Sequence, residues 1–235
     1  MAIPDRMDER LRALGLVETQ RKAEALFAEV TRRGLIAAGS SEYEVTDRIG
    51  DLARELLGRH VRWPGRLVRS GPHTVLPYGD EPPADRGIGP GDTVTAHFGP
   101  LLAGDGTDFA RTVVLGDDPA GVRLREDLPK LFAAGREAFH ADRRITGRQL
   151  YEDLRALAAK AGWTLGGWHA GHVAGEAPAA NPMCARADAY IWPDNDRPLR
   201  RTKPDGWQAH WLLELHLVDE HAGFGGTHKA LLDLF

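Results

Sequence analysis

Three short segments of this sequence set imidazoles and carboxylates close enough together to do chemistry. His97 and Asp108 stand eleven positions apart on two runs, 93–102 and 108–115, that read as successive strands. Side chains alternate across a strand, so a hairpin can bring one imidazole and one carboxylate onto a single face, which is half of a metal site. A solvent-facing histidine and an aspartate at a turn fit the same spacing. The second segment, GWHAGHVAGEAP, places His169 and His172 three apart among glycines, with Glu176 just beyond. Glycine lets backbone approach a ligand closely. That spacing keeps the two histidines off one face of a regular strand, so one of them is the candidate ligand and the choice stays open; a Gly-rich connector with exposed histidines is the plainer alternative. The third segment is AHWLLELHLV, 209–218. Period two puts His210, Leu212, Glu214 and His216 on one face and Trp211, Leu213 and Leu215 on the other. A carboxylate and two histidines in a dry core need a partner. A metal would supply one, and a solvated polar face would remove the need.

The elements that position these segments follow from periodicity and punctuation. Apolar residues at helical spacing predict a long helix over 8–34 and a second over 42–58, the latter opened by the capping box Ser41-Glu42-Tyr43-Glu44. Residues 66–69 read as a short strand, and Ala103-Gly104-Asp105-Gly106 carries hairpin chemistry between the strands at 93–102 and 108–115. Asp117-Asp118-Pro119 opens a helix of about 119–140, and Thr146 caps one of about 147–162. Residues 181–206 read as irregular, and 228–235 as an edge strand. Helices followed by strands imply an α+β fold, with helices against one face of an antiparallel sheet.

Composition narrows the function. Of 235 residues, 42% are hydrophobic and 27% charged, a globular balance, and the formal net charge is −4. Arg197–Lys203 is the densest basic stretch and reads as a solvated loop, so a broad nucleic-acid-binding face is not expected. No stretch approaches the roughly 18 apolar residues of a membrane span, and the N-terminal residues lack a signal-type apolar core. With Cys184 as the single cysteine, no intramolecular disulfide can form. These features lead to the expectation of a soluble, cytoplasmic protein.

Together the motifs resemble those of the pita-bread metallopeptidases, the group of methionine aminopeptidase, aminopeptidase P, prolidase and creatinase. The resemblance covers about residues 15–235. It rests on Ser70-Gly71-Pro72-His73 running to Pro77-Tyr78; on Gly91-Asp92-Thr93-Val94; on the eleven-residue step to Asp108-Phe109-Ala110-Arg111-Thr112; on Gly171-His172-Val173-Ala174-Gly175; and on Leu212-Leu213-Glu214. The family's final G-x-R-x-E-D is matched loosely by Gly225-Gly226-Thr227-His228-Lys229.

The resemblance implies one pita-bread domain over 1–235, a curved antiparallel sheet with helices on its outer face, and a metal site on its inner face. Carried over residue by residue, it implies His97, Asp108, His172, Glu214 and His228 as ligands. Two of these are imidazoles where the family has carboxylates. A neutral imidazole binds one cation through one nitrogen, so the set implies a single divalent ion, iron, manganese, zinc or cobalt. Glu176 or Glu214 would be the general base, and Tyr78 stands where the family has an assisting histidine. The histidine expected before Glu176 is replaced by Gly175. The implied activity is hydrolysis of an amide-type bond in a small or short peptide-like substrate by metal-activated water. Two alternatives stay open: non-hydrolytic chemistry at a mononuclear iron or manganese centre, and non-catalytic binding on the same fold. The family's frequent dimers make a homodimer a further expectation. Trp168, Tyr190, Trp192 and Trp211 are candidates for pocket walls or for packing.

Overall fold

Capping side chains set where each helix begins. The computed structural model describes residues 5–58, 66–77, 80, 84–99, 106–176, 179 and 181–234. Helix α1, Arg6–Arg32, starts at Asp5, whose carboxylate accepts from the backbone N–H groups of Met7 and Asp8 at 2.7 and 2.9 Å. Helix α2, Glu42–Leu57, has the expected Ser41–Glu44 capping box and ends at Gly58 with φ 63°. Helix α3, Pro119–Ala141, follows Asp118, and α4, Gly147–Lys160, is capped by Thr146. The four helices fall within two or three residues of their expected bounds at every end.

The strands are β1 (Val68–Ser70), β2 (Thr93–His97), β3 (Ala110–Val114), β4 (Thr164–Leu165), β5 (Gly171–Val173), β6 (Trp211–Asp219) and β7 (Phe224–Leu231). They form one sheet in the order β1-β2-β3-β7-β6-β4, with β5 also paired to β6, and their pairings are antiparallel. The expected edge strand at 228–235 is corrected here: β7 starts at Phe224 and lies inside the sheet, between β3 and β6. The reason is a tight hairpin. The Asp219 carboxylate accepts from the N–H groups of His221 and Ala222, and its carbonyl accepts from Gly223, whose φ is 72°. The expected strand over 93–102 ends at His97 within the described residues. Ala103, Gly104 and Asp105 of the expected hairpin lie outside them.

Two apolar clusters cover the outer face. Leu26 and Val30 of α1 and Val45 and Ile49 of α2 pack with Val94, Phe98 and Phe109. Leu124 and Phe139 of α3 and Leu150 and Leu154 of α4 pack with Trp211, Leu213, Leu215 and Leu217 of β6. Each such side chain contributes about 1.5–3 kcal/mol on burial. The odd-numbered side chains of β6 are thereby committed to the helices, and the even-numbered ones, Leu212, Glu214 and His216, are turned to the inner face.

Side chains also staple the sheet. Strands β3 and β7 share the pair Ala110–Lys229. Arg111, lying over the Phe109 ring, donates to the Lys229 carbonyl at 2.8 Å. The Thr112 hydroxyl donates to the Thr227 carbonyl and accepts from the Thr227 N–H. The Arg-Thr pair of the D-x-x-R-T motif therefore acts on the backbone of β7. At the other end of the site-bearing strands, buried His210 joins α1 to the chain's last turn. Its Nδ1 is 2.7 Å from an Asp233 carboxylate oxygen and its Nε2 2.9 Å from one of Glu9.

Burial alone would lower the His210 pKa, but the bonds to Asp233 and Glu9 outweigh it and Arg12, and the net shift is upward. A pKa raised in the folded state stabilises at pH below the ordinary imidazole value, about 6.5, and that stabilisation fades as pH rises through the folded value. The stability lost in His210→Ala should therefore be about 1–3 kcal/mol at pH 5.5 and shrink with rising pH. Denaturant melts of both proteins across pH 5.5–9 test this; a deficit that stays constant or grows with pH would refute it. A second expectation concerns Gly171, at φ 143°, where a Cβ would lie 2.0 Å from the Leu212 carbonyl oxygen. Gly171→Ala should destabilise the protein by about 2 kcal/mol or more by forcing β5 off β6; an unchanged melting temperature would contradict the close approach.

Candidate functional site

Register brings the site together. Residue pairs run across four strands from His97 on β2 to Ala110 on β3, then to Lys229 on β7, then to Glu214 on β6. Cross-strand partners share a face, so His97, Lys229 and Glu214 all lie on the inner face, with the small Ala110 between His97 and Lys229. On the far side of β6, His172 pairs with Leu212 and joins the same face. Asp108 enters just ahead of β3. Its carboxylate accepts from the Phe109 N–H at 2.7 Å and lies so close to Gly99 that a Cβ there would be 2.1 Å from one oxygen.

The centre of this group is an ion pair with three members. Lys229, 1% exposed, places its Nζ 2.5 Å from Asp108 Oδ2 and 2.9 Å from Glu214 Oε2. Burial alone would lower the lysine's pKa, but the two carboxylates reverse the shift and raise it. Burial likewise would raise the pKa of Glu214, and the Lys229 charge drives it well below the usual carboxylate range. Lys229 and Glu214 are therefore both charged at neutral pH.

The histidines around them are neutral. Burial first, then the positive charge of Arg69, lowers the His97 pKa to about 3. Burial and then Lys229 lower that of His172 to about 3, and that of His169 falls to about 4, also chiefly from burial. Hydrogen bonds fix the tautomers of the last two. His172 Nδ1 donates to the Val173 carbonyl at 3.1 Å, so its Nε2 carries a lone pair, and that buried atom has no partner among the described residues. His169 Nδ1 instead accepts from the Gly171 N–H at 3.1 Å, so its Nε2 carries the proton. The sequence left the choice between these two open; both lie near the group, in complementary hydrogen-bonding states. Half-buried Trp168 stands 4.4 Å from the His169 ring and 4.6 Å from Tyr190, measured between ring centres, and Tyr190 is 6.2 Å from His172. They form an aromatic wall. Trp211 is packing instead: fully buried on the helix side, it donates to the Leu199 carbonyl.

Several expected site residues lie elsewhere. His228 pairs with Leu215 on the helix-covered face and packs 4.5 Å from the Phe132 ring of α3, where burial lowers its pKa to about 3. It cannot close the site, and its neighbour Lys229 takes the inner position. Glu176 is half-buried and holds ion pairs with Arg186 at 3.2 Å and Lys203 at 3.4 Å. Those pairs engage it within a band of surface charges instead of with the Lys229 group. His216 donates through Nε2 to the Thr74 carbonyl, 2.7 Å away, and so carries its proton there. Tyr78 lies outside the described residues. Lys229 itself was missed. Its signal was parity: with Glu214 turned inward and a four-residue loop at 220–223, the residue opposite Glu214 is 229.

The donor set does not fit a divalent cation. The two carboxylates that would hold one are both engaged by an ammonium group, and among the described residues no three His, Cys, Asp or Glu side chains converge as metal ligands. His172 Nε2 is the atom that retains a ligand's lone pair.

The Metallopeptidase family M24 model matches residues 15–202. Among curated proteins, none matches the sequence. Among solved structures, the chain is similar to an X-Pro aminopeptidase from Thermotoga maritima (TM-score 0.62, 19% identity, covering 97% of this chain and 58% of that one). It is also similar to a dipeptidase from Pyrococcus horikoshii (0.64, 20%, 97% and 57%) and to a prolidase from Thermococcus sibiricus (0.60, 23%, 93% and 56%). The chain thus spans less than three-fifths of the length of these relatives, and at such identities the likeness is one of fold. Among the described residues no helix is long and apolar enough to cross a membrane. With four-fifths of its length matched by the family model and the curved antiparallel sheet of the pita-bread fold in place, the chain belongs to metallopeptidase family M24.

Proposed function

We propose that this chain uses the M24 pocket to bind a small amide-containing or peptide-like molecule, without hydrolysis by a metal-activated water. The observation that carries the reading is the pair of histidines on β5 and the turn before it. His169 keeps an N–H, and His172 keeps a buried lone pair with no partner among the described residues. An amide offers one acceptor and one donor, the complement of that pair. A buried acceptor left unmatched costs about 1–3 kcal/mol, so a ligand N–H or O–H at His172 recovers energy the free protein forgoes. Trp168 and Tyr190 beside the histidines supply flat apolar surface of the kind that lines small-molecule pockets. The charged trio sums to −1, counting Asp108 and Glu214 as −1 each and Lys229 as +1, which favours a neutral ligand or one with a cationic end.

A second reading is amide hydrolysis of the kind for which the family is named, and the family match over residues 15–202 favours it. It needs a divalent ion between Asp108 and Glu214, where the Lys229 ammonium sits.

The two readings separate in one set of measurements. Purified protein is given Ala-Pro, Gly-Pro and Ala-Ala at millimolar concentration, with and without Mn²⁺, Co²⁺ or Zn²⁺. The expected outcome is a raised melting temperature with at least one dipeptide and no release of free amino acids. At a ligand concentration of 100 times Kd the gain would be about 2.7 kcal/mol. His172→Ala should abolish most of that gain. Prolidase-like turnover would overturn the binding reading in favour of hydrolysis, and no shift with any dipeptide would overturn recognition of peptide-like ligands.

A further inference from the structure

A lysine that is 1% exposed is uncommon, because an ammonium group leaves water only when it is well paired. Lys229 is paired with Asp108 at 2.5 Å and with Glu214 at 2.9 Å. These carboxylates come from separate parts of the chain, one just before β3 and one in the middle of β6, and they converge on a single point. Like charges brought this close repel unless a cation lies between them. The cation is supplied from β7, directly in register with Glu214. Around that point stand His97, in the same cross-strand row, and His172, whose Nδ1 is fixed by a backbone carbonyl so that Nε2 presents a lone pair. A ring nitrogen held in this way by a second hydrogen bond is how proteins orient a metal-binding imidazole.

We propose that Lys229 is a built-in cation: its ammonium group takes the place of a divalent ion between Asp108 and Glu214, and the pocket admits no such ion while the lysine is present. The charges follow the same logic. Two carboxylates and one ammonium leave a net −1, whereas two carboxylates alone leave −2, the charge a divalent ion would cancel. Removing the lysine side chain would therefore uncover a metal site made of Asp108, Glu214 and His172, with His97 beside it. The inference goes further than the ligand-binding reading and stands apart from it, since its readout is bound metal and not a bound dipeptide.

The test compares the metal content of wild type, Lys229→Arg, Lys229→Ala and the double variant Lys229→Ala with Asp108→Asn. Each is dialysed against Mn²⁺ or Zn²⁺, then against buffer, and measured by elemental analysis, with Mn²⁺ titration followed by electron paramagnetic resonance. Wild type and Lys229→Arg should retain almost none, Lys229→Ala about one equivalent, and the double variant almost none. Wild type holding about one equivalent, lost on Asp108→Asn, would overturn the proposal, as would a folded Lys229→Ala protein that binds no more metal than wild type. Should Lys229→Ala fail to fold in buffer, it is refolded with each metal in turn. Recovery with a divalent ion supports the proposal, and failure with all of them overturns it.

Discussion

The register between β6 and β7 is the constraint on which the rest of this structure depends. Eight residue pairs run from Leu212–Leu231 to Asp219–Phe224, closed by a four-residue loop that the Asp219 carboxylate holds in shape. Because side chains alternate along a strand, this one alignment decides the environment of every residue on both strands. It sends Leu213, Leu215 and His228 to the helices, and Glu214 and Lys229 to the pocket. A shift by a single residue would bury Lys229 against Phe132 and turn an imidazole toward Asp108. The chemical character of the pocket thus follows from backbone geometry several residues away.

Once the register is set, electrostatics governs the pocket. Moving an ammonium group and two carboxylates out of water costs several kcal/mol per ion, and their close contacts must offset that cost. They do so at 2.5 and 2.9 Å, with Asp108 also receiving a backbone N–H and nestling against Gly99. The surrounding histidines stay neutral because burial outweighs the nearby carboxylates. The site therefore presents hydrogen-bonding edges and aromatic faces around a fixed trio of charges that sums to −1. The family relationship and this local chemistry point in different directions, and the site has to decide what the fold is used for.

Much of this was legible beforehand, and the parts that were not have physical causes. Ser41, Asp118 and Thr146 announced their helices because capping is a local interaction, written within four residues. The inward placement of Glu214 followed from alternation along one long strand. His97 and Asp108 were paired correctly in space because the step between them is a short excursion between adjacent strands. The failures were long-range. The hairpin after Asp219 lacks an Asn-Gly or Asp-Gly signal, so β7 was expected to begin late and to lie at an edge. The choice of His228 over Lys229 had a different source, the loose match of the family's final motif to Gly225-Gly226-Thr227-His228-Lys229. Glu176 sits in a dense Gly-His-Glu cluster, but its partners, Arg186 and Lys203, are distant in sequence. The stapling of β7 by Arg111 and Thr112 was equally invisible, since the motif shows residue types and not the strand they bind.

The position of Lys229 opposite Glu214 also bears on how such a pocket could change over generations. Lysine and glutamate codons differ in their first base alone, so one transition would exchange the ammonium group for a third carboxylate at the same point of the sheet. The strand, its register and the Arg111 bond to its backbone would be untouched, because none of them involves the side chain of residue 229. Descent within this family can thus cross between a pocket balanced by its own amine and one dependent on a captured ion in a single mutational step, with no change of fold.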